Sequence, residues 1–202
     1  MRGQLRLTSG RRLSSPKCQL TRPTTARVRE AVMNILGSRL HGCSWLDLCS
    51  GSGVMACEAL ERGAARITAV ENDGRTARIC RQNLYTVRES CSPEASVEVV
   101  KGDCLSWLSR ERNQEAFDLV YLDPPYESEL YQSILSALAS GLWTTQASLV
   151  ICEHASKLTL EADDSWITVD RRCYGTTSVH FLSPREHCHH VCTDSRPPQT
   201  SP

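Results

Sequence analysis

Between residues 44 and 153, short apolar runs alternate with stretches of helical periodicity, a rhythm that few folds accommodate. The runs at 44–49 (SWLDLC), 67–71 (ITAVE), 97–100, 117–123 (FDLVYLD) and 148–153 (SLVICE) have the length of buried strands. The segments between them, at 54–62, 73–87, 104–110 and 128–140, read as helices. Strands separated by helical crossovers pair in parallel, and helices then cover both faces of the sheet. That double burial explains why the runs are apolar throughout instead of alternating. After residue 153 the rhythm changes. The segments 166–173 and 177–182 are strand-like with only Gly175 and its neighbours between them, so this final pair is antiparallel.

The ends are organised differently. Residues 2–8 and 11–20 read as two basic strands around Ser9-Gly10, a β-hairpin extension. Arg22-Pro23-Thr24 stops that element, and Thr24 or Thr25 can cap a helix running to about residue 40, with Val28, Val32, Ile35 and Leu36 at helical spacing. From Pro184 the composition turns to Pro, Ser, Thr, His and Gln without periodicity, which predicts a disordered tail. The expected parts are a basic hairpin at 1–21, an α/β domain at 22–183 and a tail at 184–202.

The first strand leads into Asp47-Leu48-Cys49-Ser50-Gly51-Ser52-Gly53 and then directly into a helix. Gly51 and Gly53 permit a sharp turn and a close backbone approach, and the helix N-terminus presents unpaired N–H groups. Glu71 closes the second strand, where a carboxylate can hold both hydroxyls of a ribose. Gly102-Asp103 follows the third strand, so Asp103 can accept from an adenine amine. The third glycine of a dinucleotide fingerprint is missing, Met55-Ala56 occupying its region. Asp47 would repel a pyrophosphate but accept from a cationic amine, which favours S-adenosylmethionine over NAD.

The fourth strand terminates in Asp123-Pro124-Pro125-Tyr126. Two prolines stop the strand and stiffen the turn, leaving the Asp123 carboxylate and nearby carbonyls as acceptors. Such acceptors suit an exocyclic amine, whose conjugated lone pair must be redirected toward an incoming methyl group. Tyr126 would stack on a target base that is unpaired or flipped out.

Lys and Arg number 23 and Asp and Glu number 23, so the formal net charge is zero. The zero hides an asymmetry. Eight basic residues precede the first acid, Glu30, which leaves 15 basic against 23 acidic side chains in the remainder. Arg11, Arg12, Lys17, Arg22, Arg27 and Arg29 in this block are candidate phosphate contacts. No apolar run approaches the roughly 20 residues that cross a bilayer, and the eleven cysteines fall below disulfide-scaffold density. A cytoplasmic protein with reduced thiols, monomeric and without a membrane partner, is the expectation. His187, Cys188, His189, His190 and Cys192 lack a second ligand pair at defined spacing, so no metal is expected.

These residues together resemble the class I S-adenosylmethionine-dependent methyltransferases, and more closely the small bacterial family that methylates N2 of a guanine in 16S ribosomal RNA. The most family-specific stretch is RPTTARVREAVMNIL at 22–36, and LDLCSGSG, EALERGA, VEND, FDLVYLDPPY and Tyr174-Gly175 complete it. Cys49-Ser50, Met33 and Tyr126 depart from the family's usual Phe-Ala, aromatic and Phe. The resemblance implies a Rossmann-like seven-stranded sheet with an antiparallel last strand. It implies cofactor contacts from Asp47, Gly51, Gly53, Glu71, Asn72, Asp103 and Asp123, and catalysis by Asp123, Pro124, Pro125 and Tyr126. The partner would be 16S rRNA or an assembling small ribosomal subunit. Two alternatives stay open: an adenine-N6 methyltransferase acting on DNA or RNA, and a non-catalytic RNA-binding ribosome-assembly factor on the same scaffold.

Overall fold

The computed structural model describes residues 4–16, 24–110, 115–125, 128–160 and 162–185. Its centre is one seven-stranded sheet of β1 (Ser44–Leu48), β2 (Arg66–Glu71), β3 (Ser96–Lys101), β4 (Phe117–Leu122), β5 (Thr144–Ala155), β6 (Trp166–Tyr174) and β7 (Thr177–Pro184). The strands lie in the order β3-β2-β1-β4-β5-β7-β6. The first five pair in parallel, and β7 runs antiparallel to both of its neighbours. The helices are α1 (Ala26–Leu36), α2 (Val54–Glu61), α3 (Gly74–Cys91), α4 (Cys104–Leu108) and α5 (Ser128–Ser140). Every strand and helix predicted between 44 and 182 is present, with β5 beginning earlier than expected, at Thr144.

Period-two alternation sorts the strands' side chains into two layers. Trp45, Leu119, Ile151 and Phe181 join one core with Val32 and Met33 of α1, Leu60 of α2 and Leu84 of α3. Leu46, Val120 and Val150 point the other way, into a second core with Trp107 of α4 and Ile134 and Leu138 of α5. Trp107 and Trp143 meet there at a ring separation of 4.6 Å. The chain leaves β1 for β2 and β3 on one side and returns to β4 on the other. This reversal opens a crevice at the carboxyl ends of β1 and β4, the position where doubly wound sheets bind ligands.

The N-terminal region differs from the sequence reading in two ways. Thr25 caps α1 by accepting from the Val28 N–H, but the helix ends at Leu36, because Gly37 turns to φ +51°, and a 3-10 turn (Gly37–Leu40) covers the rest. Among the described residues the expected hairpin reduces to a single antiparallel bridge, Arg6 to Arg12. Leu7 and Leu13 are buried in the first core, and side-chain ties substitute for a ladder. The Thr8 N–H and hydroxyl donate to Glu58 at 2.8 and 2.7 Å, and the Ser14 N–H donates to Asn83 at 2.9 Å. We refer to residues 4–16 as the arm.

Candidate active site

The glycine loop joins β1 to α2. The Ser50 N–H extends the sheet to the Val70 carbonyl at 3.0 Å, and the chain then turns sharply, the Gly53 N–H reaching the Ser50 carbonyl at 2.8 Å. Gly51 and Gly53 have φ of +55° and +74°, where a side chain would be strained. Gly53 is constrained from outside as well. A Cβ there would lie 2.7 Å from the Sγ of Cys80 on α3, so α3 packs directly beneath the loop.

Two predicted carboxylates frame this loop. Asp47, expected within the loop, is instead the penultimate residue of β1, buried, and accepts from the Ala56 N–H of α2 at 3.2 Å. Burial pushes its pKa up to about 8, and the Glu71 carboxylate adds to the rise, while the Ala56 N–H opposes it. Glu71 ends β2 half-buried, one oxygen accepting from the Gly51 N–H and the other from the Asp73 N–H, both at 2.8 Å. Desolvation raises its pKa against those two donors. Asn72 follows, exposed at the crevice edge. Asp103, expected to accept from an adenine amine, caps α4, its Oδ1 accepting from the Ser106 N–H at 2.8 Å.

Asp123 stands just beyond β4, next to buried Pro124 and exposed Pro125. Burial lifts its carboxyl well above the ordinary range, and the carboxylates of Glu153 and Asp47 push the same way. Tyr126 lies outside the described residues, as do Lys17, Arg22 and the His/Cys-rich tail.

The basic candidates divide. Arg12 and Arg27 are exposed, and Arg11 is partly engaged, its Nε 2.8 Å from Glu61. Arg29 is a correction. It is 4% exposed, donates to the Thr24 and Arg6 carbonyls at 2.7 and 2.5 Å and lies 3.4 Å from Glu58, so its guanidinium is directed into the protein and not toward a phosphate.

Sequence reasoning missed three residues that shape this region. Glu153, near the end of β5, accepts a hydrogen bond from the Tyr121 hydroxyl and its charge acts on Asp123; a strand ending in an acid, as ITAVE does, is the available signal. Glu58, fully buried, gathers Thr8, Arg29 and Arg62 on one carboxylate. Asn83 reads as an ordinary polar residue of a helix, yet it is buried.

Among the described residues no cluster of His, Cys, Asp and Glu is arranged to hold a metal, and no helix is long and apolar enough to cross a membrane. The arrangement is a glycine turn over a helix N-terminus, with carboxyls at the ends of four adjacent strands. It suits a ligand carrying an amine, a ribose and a base.

Comparison with known proteins agrees with this geometry. A Haemophilus influenzae protein named ribosomal RNA small subunit methyltransferase D is 32% identical over 184 residues, covering 89% of this chain and 94% of its own. Its Escherichia coli K12 namesake is 30% identical over 155 residues, or 75% of each chain. A crystal structure described as a methylase from Haemophilus influenzae superposes with a TM-score of 0.74 at 30% identity, covering 91% of this chain and 100% of its own. The family model for conserved hypothetical protein 95 matches residues 3–183, from the arm through the last strand, and the chain belongs to that family.

Proposed function

We propose that this chain transfers a methyl group from S-adenosylmethionine to the exocyclic N2 of a guanine in small-subunit ribosomal RNA, acting as a monomer in the cytoplasm. The observation that carries the reading is that Asp123-Pro124-Pro125 follows β4, the strand paired with β1, whose carboxyl end leads into the glycine loop, so that the Asp47 carboxylate acts on Asp123. Relatives matched over most of their length are named as small-subunit rRNA methyltransferases, which supports the substrate class.

The residues fit the cofactor. The turn requires positive φ at Gly51 and Gly53, and a Cβ at Gly51 would meet nothing within 4 Å, so the loop backbone is open to a ligand on that side. Asp47 offers a buried carboxyl with a single N–H donor, suited to a cationic amine. Glu71 and Asp103 stand at the neighbouring strand ends for ribose and adenine, and Asn72 borders them. When bound, the cofactor supplies an electrophilic methyl on a sulfonium.

The chain's residues prepare the amine. Asp123 and the carbonyls beside the prolines accept from its N–H groups, so the nitrogen lone pair points toward the methyl. The amine nitrogen that would receive the methyl group from the cofactor's sulfonium must lose a proton. Asp123 in its ionised form would take it, and the raised proton affinity makes that carboxylate the stronger base. Tyr126 would hold the base by stacking. Arg12 and Arg27, exposed on the arm and on α1, are the described candidates for phosphate contacts, with Lys17 and Arg22 proposed beside them.

The test is incubation with labelled S-adenosylmethionine and under-methylated small-subunit particles. Label in the RNA is the expected result, and label in duplex DNA instead would overturn the substrate assignment.

A further inference from the structure

One side chain reaches both the arm and the glycine loop. Asn83, on α3 and 3% exposed, accepts from the Ser14 N–H through Oδ1 at 2.9 Å. Its Nδ2 donates to the Ser14 carbonyl at 3.0 Å and to the Ser52 carbonyl of the glycine loop at 2.9 Å. The partners fix the amide's orientation, since the Ser14 N–H requires the oxygen and two carbonyls require the nitrogen. A primary amide is the group that offers an acceptor and two donors at one point. Asp would set an acceptor against both carbonyls, and Ala would leave all three main-chain groups without this partner.

The surroundings make the link stiff. One turn earlier on α3, Cys80 packs where a Gly53 side chain would be and lies 3.6 Å from the Ser50 hydroxyl. On the other side, Leu13 is buried and its N–H bonds the Leu5 carbonyl at 3.0 Å, so Ser14 leaves a segment that is already anchored. Arg12, exposed and two residues before Ser14, is where a phosphate would act on that segment.

We infer that Asn83 is a positioning residue that couples the basic arm to the cofactor loop, so that RNA on the arm and cofactor on the loop change each other's affinity. The inference rests on the methyltransferase reading above. A phosphate that fixes the arm also fixes Ser14, and through Asn83 the Ser52 carbonyl and the loop around it. Coupling of this kind is reciprocal and is typically about 5- to 150-fold. Loss of Asn83 should therefore cost the coupling factor and leave each ligand able to bind alone.

Two measurements test this on the full-length chain. The first is calorimetry of S-adenosylhomocysteine with and without saturating unmodified 16S rRNA transcript. For the wild type the RNA should change the affinity about fivefold or more. For Asn83→Ala and Asn83→Asp the ratio should fall to about one, with cofactor affinity in the absence of RNA largely kept. The second needs no variant: amide hydrogen exchange of the wild type, in which S-adenosylhomocysteine should slow exchange at the Ser14 N–H and RNA should slow it at Gly51 and Gly53. A wild type that binds both ligands with a ratio of one, an unchanged ratio in the variants, or Ser14 exchange that ignores the cofactor each overturns the coupling. A wild type that binds no S-adenosylhomocysteine overturns the methyltransferase reading itself, and the two failures are thereby told apart.

Discussion

Asp47 gives the most quantitative handle on the cofactor site. Its carboxyl is buried with one N–H donor, and its pKa rises from 3.8 to about 8. If it accepts from the cofactor's ammonium, binding selects the ionised form, and the apparent dissociation constant scales with one plus the ratio of protonated to ionised carboxyl. Affinity for S-adenosylhomocysteine, whose amine stays cationic over this range, should then tighten by about 50-fold from pH 6 to pH 8, and about 0.9 proton should be released per ligand at pH 7. Calorimetry in buffers of different ionisation enthalpy reads both quantities. Asp47→Asn keeps an acceptor for the Ala56 N–H but cannot ionise, so its binding should be flat with pH and weaker than wild type at pH 8 by about 2 kcal/mol, roughly thirtyfold. The ligand-free protein should move oppositely. A carboxyl whose folded pKa is raised favours folding at low pH, and that contribution is lost as pH rises from about 4 to 8. The Tm of the wild type should therefore fall relative to Asp47→Asn over that interval. Wild-type affinity that ignores pH, or the same slope in Asp47→Asn, would refute the assignment of Asp47 to the amine.

Three other outcomes follow from the packing. Glu58→Ala strands the buried Arg29 guanidinium and unfastens Thr8 and Arg62, and it should lower the unfolding free energy by about 3 kcal/mol in urea titration; a loss below about 1 kcal/mol would mean that the cluster is not stabilising. Gly53→Ala meets Cys80 Sγ at 2.7 Å and should weaken S-adenosylhomocysteine binding, with Cys80→Ala in the same chain restoring part of it, whereas no recovery would separate the defect from that contact. Arg12→Ala and Arg27→Ala should each reduce the slope of RNA affinity against log salt by about one, while Arg29→Ala should lower Tm and leave that slope unchanged.

The centre of the sheet was legible because β1, β2, β4 and the second half of β5 are buried on both faces and so appear as apolar runs, and the glycine loop because positive φ demands glycine at Gly51 and Gly53. Cysteines 43, 49, 57, 80, 104 and 152 lie in or beside predicted strands and helices and read as small core residues; five are buried, and Cys49, at the start of the glycine loop, is half-buried. The arm was not legible as it stands. Its basic alternation suggests strands, yet what holds it is a set of side chains far away in sequence, 50 residues for Thr8 with Glu58 and 69 for Ser14 with Asn83. Composition cannot register such pairings. Arg29 misled for the same reason, since a charge count treats every guanidinium as solvated, and only the fold reveals which one faces carbonyls. Asn83 and Glu58 are polar residues inside helices, where period and propensity describe a solvated face as readily as a buried clamp.

A crevice that methylates an exocyclic amine of small-subunit rRNA with Asp123 as the acceptor has a distinct product and a distinct dependence on that carboxyl. Mass spectrometry of nucleosides, from small-subunit rRNA reacted with wild type and with Asp123→Asn, tests it most directly. The expected result is a new N2-methylguanosine with the wild type and a yield lowered by about two orders of magnitude or more with Asp123→Asn. N6-methyladenosine in its place, or equal N2-methylguanosine from both proteins, would contradict it.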